Sequence, residues 1–117
     1  MSEENVVSMK SLFAAAALVF AASTAQAAPD LDEGRKKAEQ VCAACHGLDG
    51  NSEVVTYPRI GGQHADYIVR ALEDYRSGAR RNAIMAGFAS TLSDADLRNL
   101  AAWYASQPST VYTVSRD

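Results

Sequence analysis

The sequence predicts a small all-α fold, and three observations support this fold class. Apolar residues recur at three- and four-residue steps in three separate segments, the spacing of one face of a helix. Stretches that contain glycine and proline separate these segments, and no stretch alternates apolar and polar residues as a half-buried strand does. The 117 residues leave room for one small domain.

Residues 1–27 have the pattern of a secretory signal peptide, so we expect residues 28–117 to form an exported, periplasmic domain. Lys10 supplies the positive charge, residues 12–22 form a short apolar run, and residues 25–27 resemble a small-residue cleavage site. The alternative is an uncleaved membrane anchor. The shortness of the apolar run and the cleavage pattern disfavour it.

Two glutamates precede the first basic residue, which is unusual for a signal peptide. We therefore interpret residues 1–8 as an upstream extension and Met9 as the more usual start. The whole chain has a net charge of −3 at pH 7, and this argues against a nucleic-acid partner, which would require a clustered basic excess.

The first helix is predicted to begin after Asp30, an N-cap residue, with Glu33 completing a capping box, and to run into the two cysteines. One face of this helix carries residues at helical spacing, namely Leu31, Gly34, Ala38, Val41 and Cys45. Residues 47–62 are predicted to form a loop, because they are polar and contain Pro58 and two consecutive glycines.

A second amphipathic helix is predicted over about residues 63–77, with Gly78 at its end. Its apolar side consists of Tyr67, Ile68, Ala71, Leu72 and Tyr75. Residues 78–92 are predicted to form another loop. The last helix begins at Ser93, with Asp96 as an acidic capping partner, and ends before Pro108. Its apolar face consists of Leu97, Leu100, Ala101 and Tyr104, joined by Trp103.

Both cysteines of the chain lie in the sequence Cys42-Ala43-Ala44-Cys45-His46, a pattern typical of covalent haem attachment. Two thiols at this spacing can reach the two vinyl groups on one edge of a porphyrin, and His46 then becomes an iron ligand. Three other interpretations compete. They are a thiol redox pair, which usually requires a βαβ context, a zinc site that recruits His64, and a structural disulfide.

A second iron ligand is needed for six-coordinate haem, and the mature region offers two candidates. Met85 precedes the last helix, although a methionine can also simply fill a gap in a core. His64 lies at the start of the middle helix, where we expect it to face solvent or cap the helix.

Residues 30–107 resemble the class I c-type cytochromes, and in particular a single-haem domain of the bacterial branch with the c-four-type and c-five-type proteins. Four stretches carry this resemblance: CAACHGLDGN at 42–51, YPRIGGQHADYI at 57–68, the span from Arg76 to Met85, and LSDADLRNLAAWYASQ at 92–107. The resemblance implies a small helical bundle around one covalently bound haem, with the first and last helices crossing.

The resemblance also implies roles for individual residues. Cys42 and Cys45 would hold haem c, and His46 and Met85 would bind its iron. The carbonyl group of Pro58 would accept the proximal imidazole proton, and Ile60 would pack on the porphyrin. Gly34 would permit the helix crossing near Trp103. Ala38 stands where many relatives have a large aromatic residue, so packing at this crossing can differ.

The c-four type usually carries two haem domains, whereas this chain has one attachment motif, so pairing with itself or another cytochrome is an open expectation. The expected function is periplasmic transfer of single electrons between redox proteins, without enzymatic activity. The alternatives are a subunit fixed in a dehydrogenase or oxidase complex, and a haem sensor or peroxidase with a labile Met85.

Four arginines lie near the predicted site: Arg59, Arg76, Arg80 and Arg81. They are candidates to bind the haem propionates or to attract an acidic partner. For each residue alone, an ordinary solvated arginine is the simpler interpretation.

Overall fold

The computed structural model describes residues 25–110, and these residues form an all-α structure without a strand. The predicted fold class is therefore confirmed. Most of the predicted signal peptide and the end of the chain lie outside the described residues. Within the described range, no helix is both long and apolar enough to cross a membrane. The five helices are α1 (Leu31–Val41), α2 (Ala43–His46), α3 (Ala65–Ser77), α4 (Ala83–Ala89) and α5 (Asp94–Ala105).

The predicted N-cap of α1 is confirmed, but the capping box there is wrong. The Asp30 carboxylate accepts hydrogen bonds from the backbone N–H groups of Asp32 and Glu33. The backbone N–H of Asp30 donates to the side-chain oxygen of Asn99 at 2.9 Å. The Glu33 carboxylate instead pairs with Lys36 at 2.7 Å. The Asp30 N–H, which a capping box would bond to Glu33, thus forms a hydrogen bond that links the start of α1 to α5.

Helix α1 crosses α5 at Gly34, as the resemblance to c-type cytochromes implies. A Cβ atom at this position would overlap the carbonyl group of Asn99 and lie 3.0 Å from the Cβ of Trp103. Only a residue without a side chain lets the two backbones come this close. Leu31, which was expected on the same buried face, is 48% exposed because it lies at the first turn, before the crossing begins.

The prediction of a loop over residues 78–92 is wrong, because this stretch contains α4. The Asn82 side-chain oxygen accepts hydrogen bonds from the backbone N–H groups of Ile84 and Met85, and these bonds start the helix. Gly78 does end α3, in a left-handed conformation at φ 83°. Helix α3 therefore ends at Gly78, and the chain forms the short helix α4 from Ala83 onward.

The buried core is small and lies mostly on α5, whose predicted apolar face is confirmed. Only Tyr104, Leu97 and Leu100 are large side chains that are almost completely buried in the described part of the chain. The predicted capping box at the start of α5 is also confirmed: Ser93 and Asp96 each accept a backbone hydrogen bond from the other. Helix α5 is thus fixed at its start and buried along one side.

Candidate functional site

A cleft beside α5 contains two adjoining cavities, of about 190 Å³ and about 200 Å³. Both are lined mainly by apolar side chains and share six lining residues, Cys42, His46, Pro58, Leu72, Tyr75 and Met85. Cys45 lines the first cavity, and Ile60 lines the second. The structure therefore brings all six predicted site residues to one cleft, although they are spread over more than forty positions of the sequence.

His46 ends the short helix α2 and is 8% exposed. Its Nδ1 atom lies 2.9 Å from the carbonyl oxygen of Pro58. A carbonyl oxygen can only accept, so Nδ1 carries the proton and donates it in this bond. The other ring nitrogen, Nε2, is then left with a free lone pair, the form in which imidazole binds a metal ion.

Two neighbouring aromatic residues on α5 hold the segment that directly follows the attachment motif. The indole Nε1 of Trp103 donates to the carbonyl oxygen of Leu48 at 2.8 Å. The hydroxyl group of Tyr104 donates to the carbonyl oxygen of Gly47 at 3.2 Å. The sequence gives no sign of these bonds, since any backbone carbonyl could be the acceptor.

The loop that carries Pro58 is fixed at Gly50. The carbonyl oxygen of Gly50 accepts hydrogen bonds from the backbone N–H groups of Ile60 and Gly61, at 2.8 and 2.9 Å. Gly50 has φ 74°, and a Cβ there would lie 2.6 Å from the Gly61 nitrogen. A side chain would thus separate the two arms of the loop. Both requirements favour glycine at this position.

Met85 lies in the first turn of α4 and is partly buried. Its backbone N–H is one of the two that Asn82 caps, so the cap fixes the turn from which the thioether projects. His64, the other candidate ligand, is exposed at the N-cap position of α3 and lines neither cavity. The arrangement therefore favours Met85, in agreement with the sequence interpretation.

The five apolar residues predicted along one side of the middle helix all line the second cavity. The amphipathic pattern was therefore right, but this face borders the cleft, and of the five residues only Ile68 is also buried in the core. Several side chains around the cleft are large and exposed, with Tyr57 at 36%, Phe88 at 42%, Tyr67 at 51% and Ile84 at 66%. A large apolar ligand in the cleft would cover such surface.

The two cysteine thiols are free and half-buried, and they are not joined as a disulfide. Burial, together with the nearby Cys45, raises the pKa of Cys42 to about 11, although a hydrogen bond with Tyr104 lowers it. Burial also raises the pKa of Tyr104, as does the adjacent Cys42. A redox-active thiol requires a lowered pKa, so this environment argues against a thiol oxidoreductase.

The zinc interpretation also finds no support in residues 25–110. No three histidine, cysteine, aspartate or glutamate side chains come together there as a metal-binding group. The βαβ context of thioredoxin-like proteins is missing from the same residues, since they contain no strand. Haem attachment is the interpretation that the geometry of the cleft fits best.

A family model described as cytochrome C oxidase, cbb3-type, subunit III matches residues 29–103, well over half of the chain. The chain belongs to the c-type cytochromes. The resemblance found in the sequence is thereby confirmed. Membership of this family also confirms the predicted cofactor, covalently bound haem c with its iron.

Among curated proteins, cytochrome c4 of Thiocapsa roseopersicina is 46% identical to this cytochrome over 81 residues, covering 69% of the chain and 42% of that relative. Cytochrome c-554(548) of Halomonas halodenitrificans is 42% identical over 69 residues, covering 56% of the chain and 83% of that protein. The chain therefore matches most of one small cytochrome and less than half of cytochrome c4.

The crystal structure of reduced recombinant cytochrome c4 from Pseudomonas stutzeri has the same fold. It aligns with a TM-score of 0.65 at 36% identity, covering 72% of this chain and 48% of that one. The all-helical architecture of the cytochrome is therefore confirmed by a solved relative as well as by its own helices.

The residues of the cleft fit haem c on their own chemistry. The attachment thiols, a buried imidazole with a free nitrogen and a thioether all border the same apolar space. In the part of the chain that the structure describes, neither cavity is lined by another histidine, cysteine or methionine.

Proposed function

We propose that this cytochrome is a periplasmic electron carrier with one six-coordinate haem. Cys42 and Cys45 would hold the haem through thioethers, and His46 and Met85 would bind its iron. The observation that carries the proposal is the position of His46 and Met85, which come from different helices and line the same two cavities beside the cysteines. Haem iron, when bound, can take up and release one electron.

The protein controls this chemistry in three ways. The Cys42 and Cys45 thiols, which both border the first cavity, would hold the haem covalently. The Pro58 carbonyl fixes the plane of the His46 ring and makes the imidazole a stronger donor. Met85 would supply a second iron ligand, which would leave no open position for a substrate and, together with burial, would raise the reduction potential.

Ligand-replacement variants of the holoprotein test the axial assignment. The parent protein should show a low-spin haem c spectrum, with the weak far-red ferric band that marks thioether ligation, and its ferrous form should not bind CO. In Met85→Ala the band should disappear, CO should bind and the midpoint potential should fall. His64→Gln is the matched control, because His64 lines neither cavity, and it should behave like the parent.

Two results would refute this assignment. One is a parent protein that binds CO readily, which would favour a haem sensor or peroxidase with a labile distal ligand. The other is loss of the far-red band in His64→Gln but not in Met85→Ala. A colourless protein, made in cells with active haem-attachment machinery, would refute the haem site itself and revive the thiol interpretation.

Protein partners of the redox type follow from a carrier function, and a freely diffusing carrier is the simplest form. The alternative is a subunit fixed in a dehydrogenase or oxidase complex. Tagged protein purified gently from its native cells distinguishes them: a carrier should elute alone, whereas a subunit should co-purify with an enzyme in fixed ratio. The same preparation tests export, because a cleaved signal peptide would leave Ala28 at the N-terminus.

A further inference from the structure

Arg80 lies at the second cavity and is held there by two aromatic side chains. Its guanidinium carbon lies 4.8 Å from the centre of the Tyr75 ring. Its Nη1 atom donates to the hydroxyl oxygen of Tyr67 at 3.4 Å. All three side chains line the second cavity. A cation–π contact and a hydrogen bond both favour this position of the exposed arginine beside the cleft.

Most of the other cations in the described residues have an acidic partner. Five of them form ion pairs, namely Arg35, Lys36, Lys37, Arg70 and Arg76. Arg80 has no carboxylate within ion-pair distance among residues 25–110. The same is true of Arg59, which also lines the second cavity and donates to the Ser52 carbonyl and the Thr110 hydroxyl. The second cavity therefore carries two positive charges without a protein anion beside them.

The two cavities differ in the charge of the side chains that line them, and the difference matches the two edges of a haem. The first cavity is lined by both cysteines and by no lysine, arginine, aspartate or glutamate side chain. The second cavity has Arg59 and Arg80, with Gln63 and the Tyr67 hydroxyl beside them. Haem has two carboxylates on one edge, and it is joined to cysteine through a different part of the ring. A ring tied at the cysteines can direct its carboxylates to the charged side of the cleft.

We infer that the Arg80 guanidinium, held in place by Tyr67 and Tyr75, binds a haem carboxylate and raises the reduction potential of the iron. This inference rests on the proposed function. Arginine favours carboxylates because its planar N–H groups match two oxygens. A fixed positive charge near the haem also disfavours the ferric state, which carries one more positive charge than the ferrous state.

The test compares Arg80→Gln with Arg81→Gln in the holoprotein. Arg81 is the matched control, because it is the next residue, carries the same charge, is exposed and lines neither cavity. Redox-induced infrared difference spectra, with the haem isotopically labelled at its carboxylates, report the contact directly. The carboxylate band should shift in Arg80→Gln and stay in place in Arg81→Gln. Both variants should lower the midpoint potential. The fall should be at least about twice as large in Arg80→Gln as in Arg81→Gln, because screening weakens the effect of a distant charge.

Tyr67→Phe tests the positioning role without changing the net charge. Removal of the hydroxyl should lower the potential by less than Arg80→Gln does, and it should have no further effect when Arg80 is already Gln. A double-mutant cycle measures this coupling. If Tyr67→Phe has the same effect with and without Arg80, then Tyr67 does not act through the arginine and the positioning role is wrong.

Equal falls in potential for Arg80→Gln and Arg81→Gln would show that Arg80 acts only as a distant charge. An unmoved carboxylate band in Arg80→Gln would show that the two groups are not in contact. Either result, in protein with a normal haem c spectrum, overturns this inference and leaves the proposed function intact. Failure of the proposed function is distinguishable, because the haem or its thioether band would then be missing from the parent.

Discussion

The backbone of Gly34 in α1 packs directly against the carbonyl group of Asn99 in α5. This contact is where the first and last helices cross, and Trp103 lies beside it. The crossing also brings the backbone N–H of Asp30 to the side chain of Asn99. Since α5 holds the segment after the attachment motif, the crossing connects the start of the domain to the haem site.

A methyl group at this crossing should destabilise the domain. Gly34→Ala would force the two helices apart, and overpacking of this kind costs about 1–3 kcal/mol. Denaturant unfolding of the holoprotein, followed by circular dichroism, measures the change. Gly87→Ala is the control, because nothing lies within 4 Å of its added Cβ. An unchanged midpoint for Gly34→Ala would show that the crossing is looser than described.

Without haem, the cytochrome should lose its fixed tertiary structure. Its core contains few large buried side chains, and the face of α3 that borders the cleft would be left uncovered. A ligand that binds only the folded state stabilises it, so its removal should lower stability sharply. The Cys42→Ala, Cys45→Ala double variant should melt without a cooperative transition in circular dichroism. A cooperative melt with full helicity would contradict this prediction.

Loss of the Asn82 cap should weaken the binding of the haem iron by Met85, because the cap holds the helical turn that carries Met85. Asn82→Ala removes the acceptor for the N–H groups of Ile84 and Met85, and loss of such a cap costs about 1 kcal/mol. The far-red ferric band should therefore disappear at a lower temperature than in the parent. Asn82→Asp keeps an acceptor at the same position and should behave more like the parent. Identical melting of the band in all three proteins would exclude a role for the cap.

Asp96 should make the stability of the domain dependent on acidic pH. Burial raises its pKa, but hydrogen bonds from Ser93 and the Lys37 ammonium outweigh this effect, so the pKa lies below its ordinary 3.8. A carboxyl group with a lowered folded-state pKa stabilises the fold above its unfolded-state pKa and loses this contribution as pH falls. Asp96→Asn should therefore cost about 1 kcal/mol near neutral pH and progressively less below pH 3.8.

Unfolding midpoints measured across this pH range check the prediction. Glu53→Gln is a suitable control, since Glu53 is exposed in a loop and forms none of the ion pairs found among residues 25–110. Its removal should leave the stability nearly unchanged at each pH. A cost for Asp96→Asn that is constant down to the lowest pH would mean that the charge of Asp96 contributes nothing.

Features with a local cause could be predicted from the sequence. The caps at Asp30 and Ser93, the glycine at the end of α3 and the spacing of apolar residues each depend on neighbours a few positions away. The attachment motif is equally local, so the haem site was recognisable before the fold was known. Met85 was assigned as a candidate because the mature region offers so few ligands.

Features with a distant cause could not be predicted. Glu33 was expected to bond the Asp30 N–H, but Asn99, 69 residues further along the chain, takes that position. Helix α4 was missed because it is short and contains a glycine, although Asn82 was a usable sign of its start. The four arginines looked alike in the sequence. Only the fold separates Arg76, which pairs with Asp94, from Arg80 at the cleft.

The bonds from Trp103 and Tyr104 to the segment after the attachment motif have a consequence for the order of assembly. Donor and acceptor are 55 and 57 residues apart, so these contacts must wait until nearly the whole domain has been made. Contacts between distant residues form slowly compared with local helices. We therefore expect the cysteine side chains to be more accessible before the last helix packs than in the folded domain, where both are half-buried.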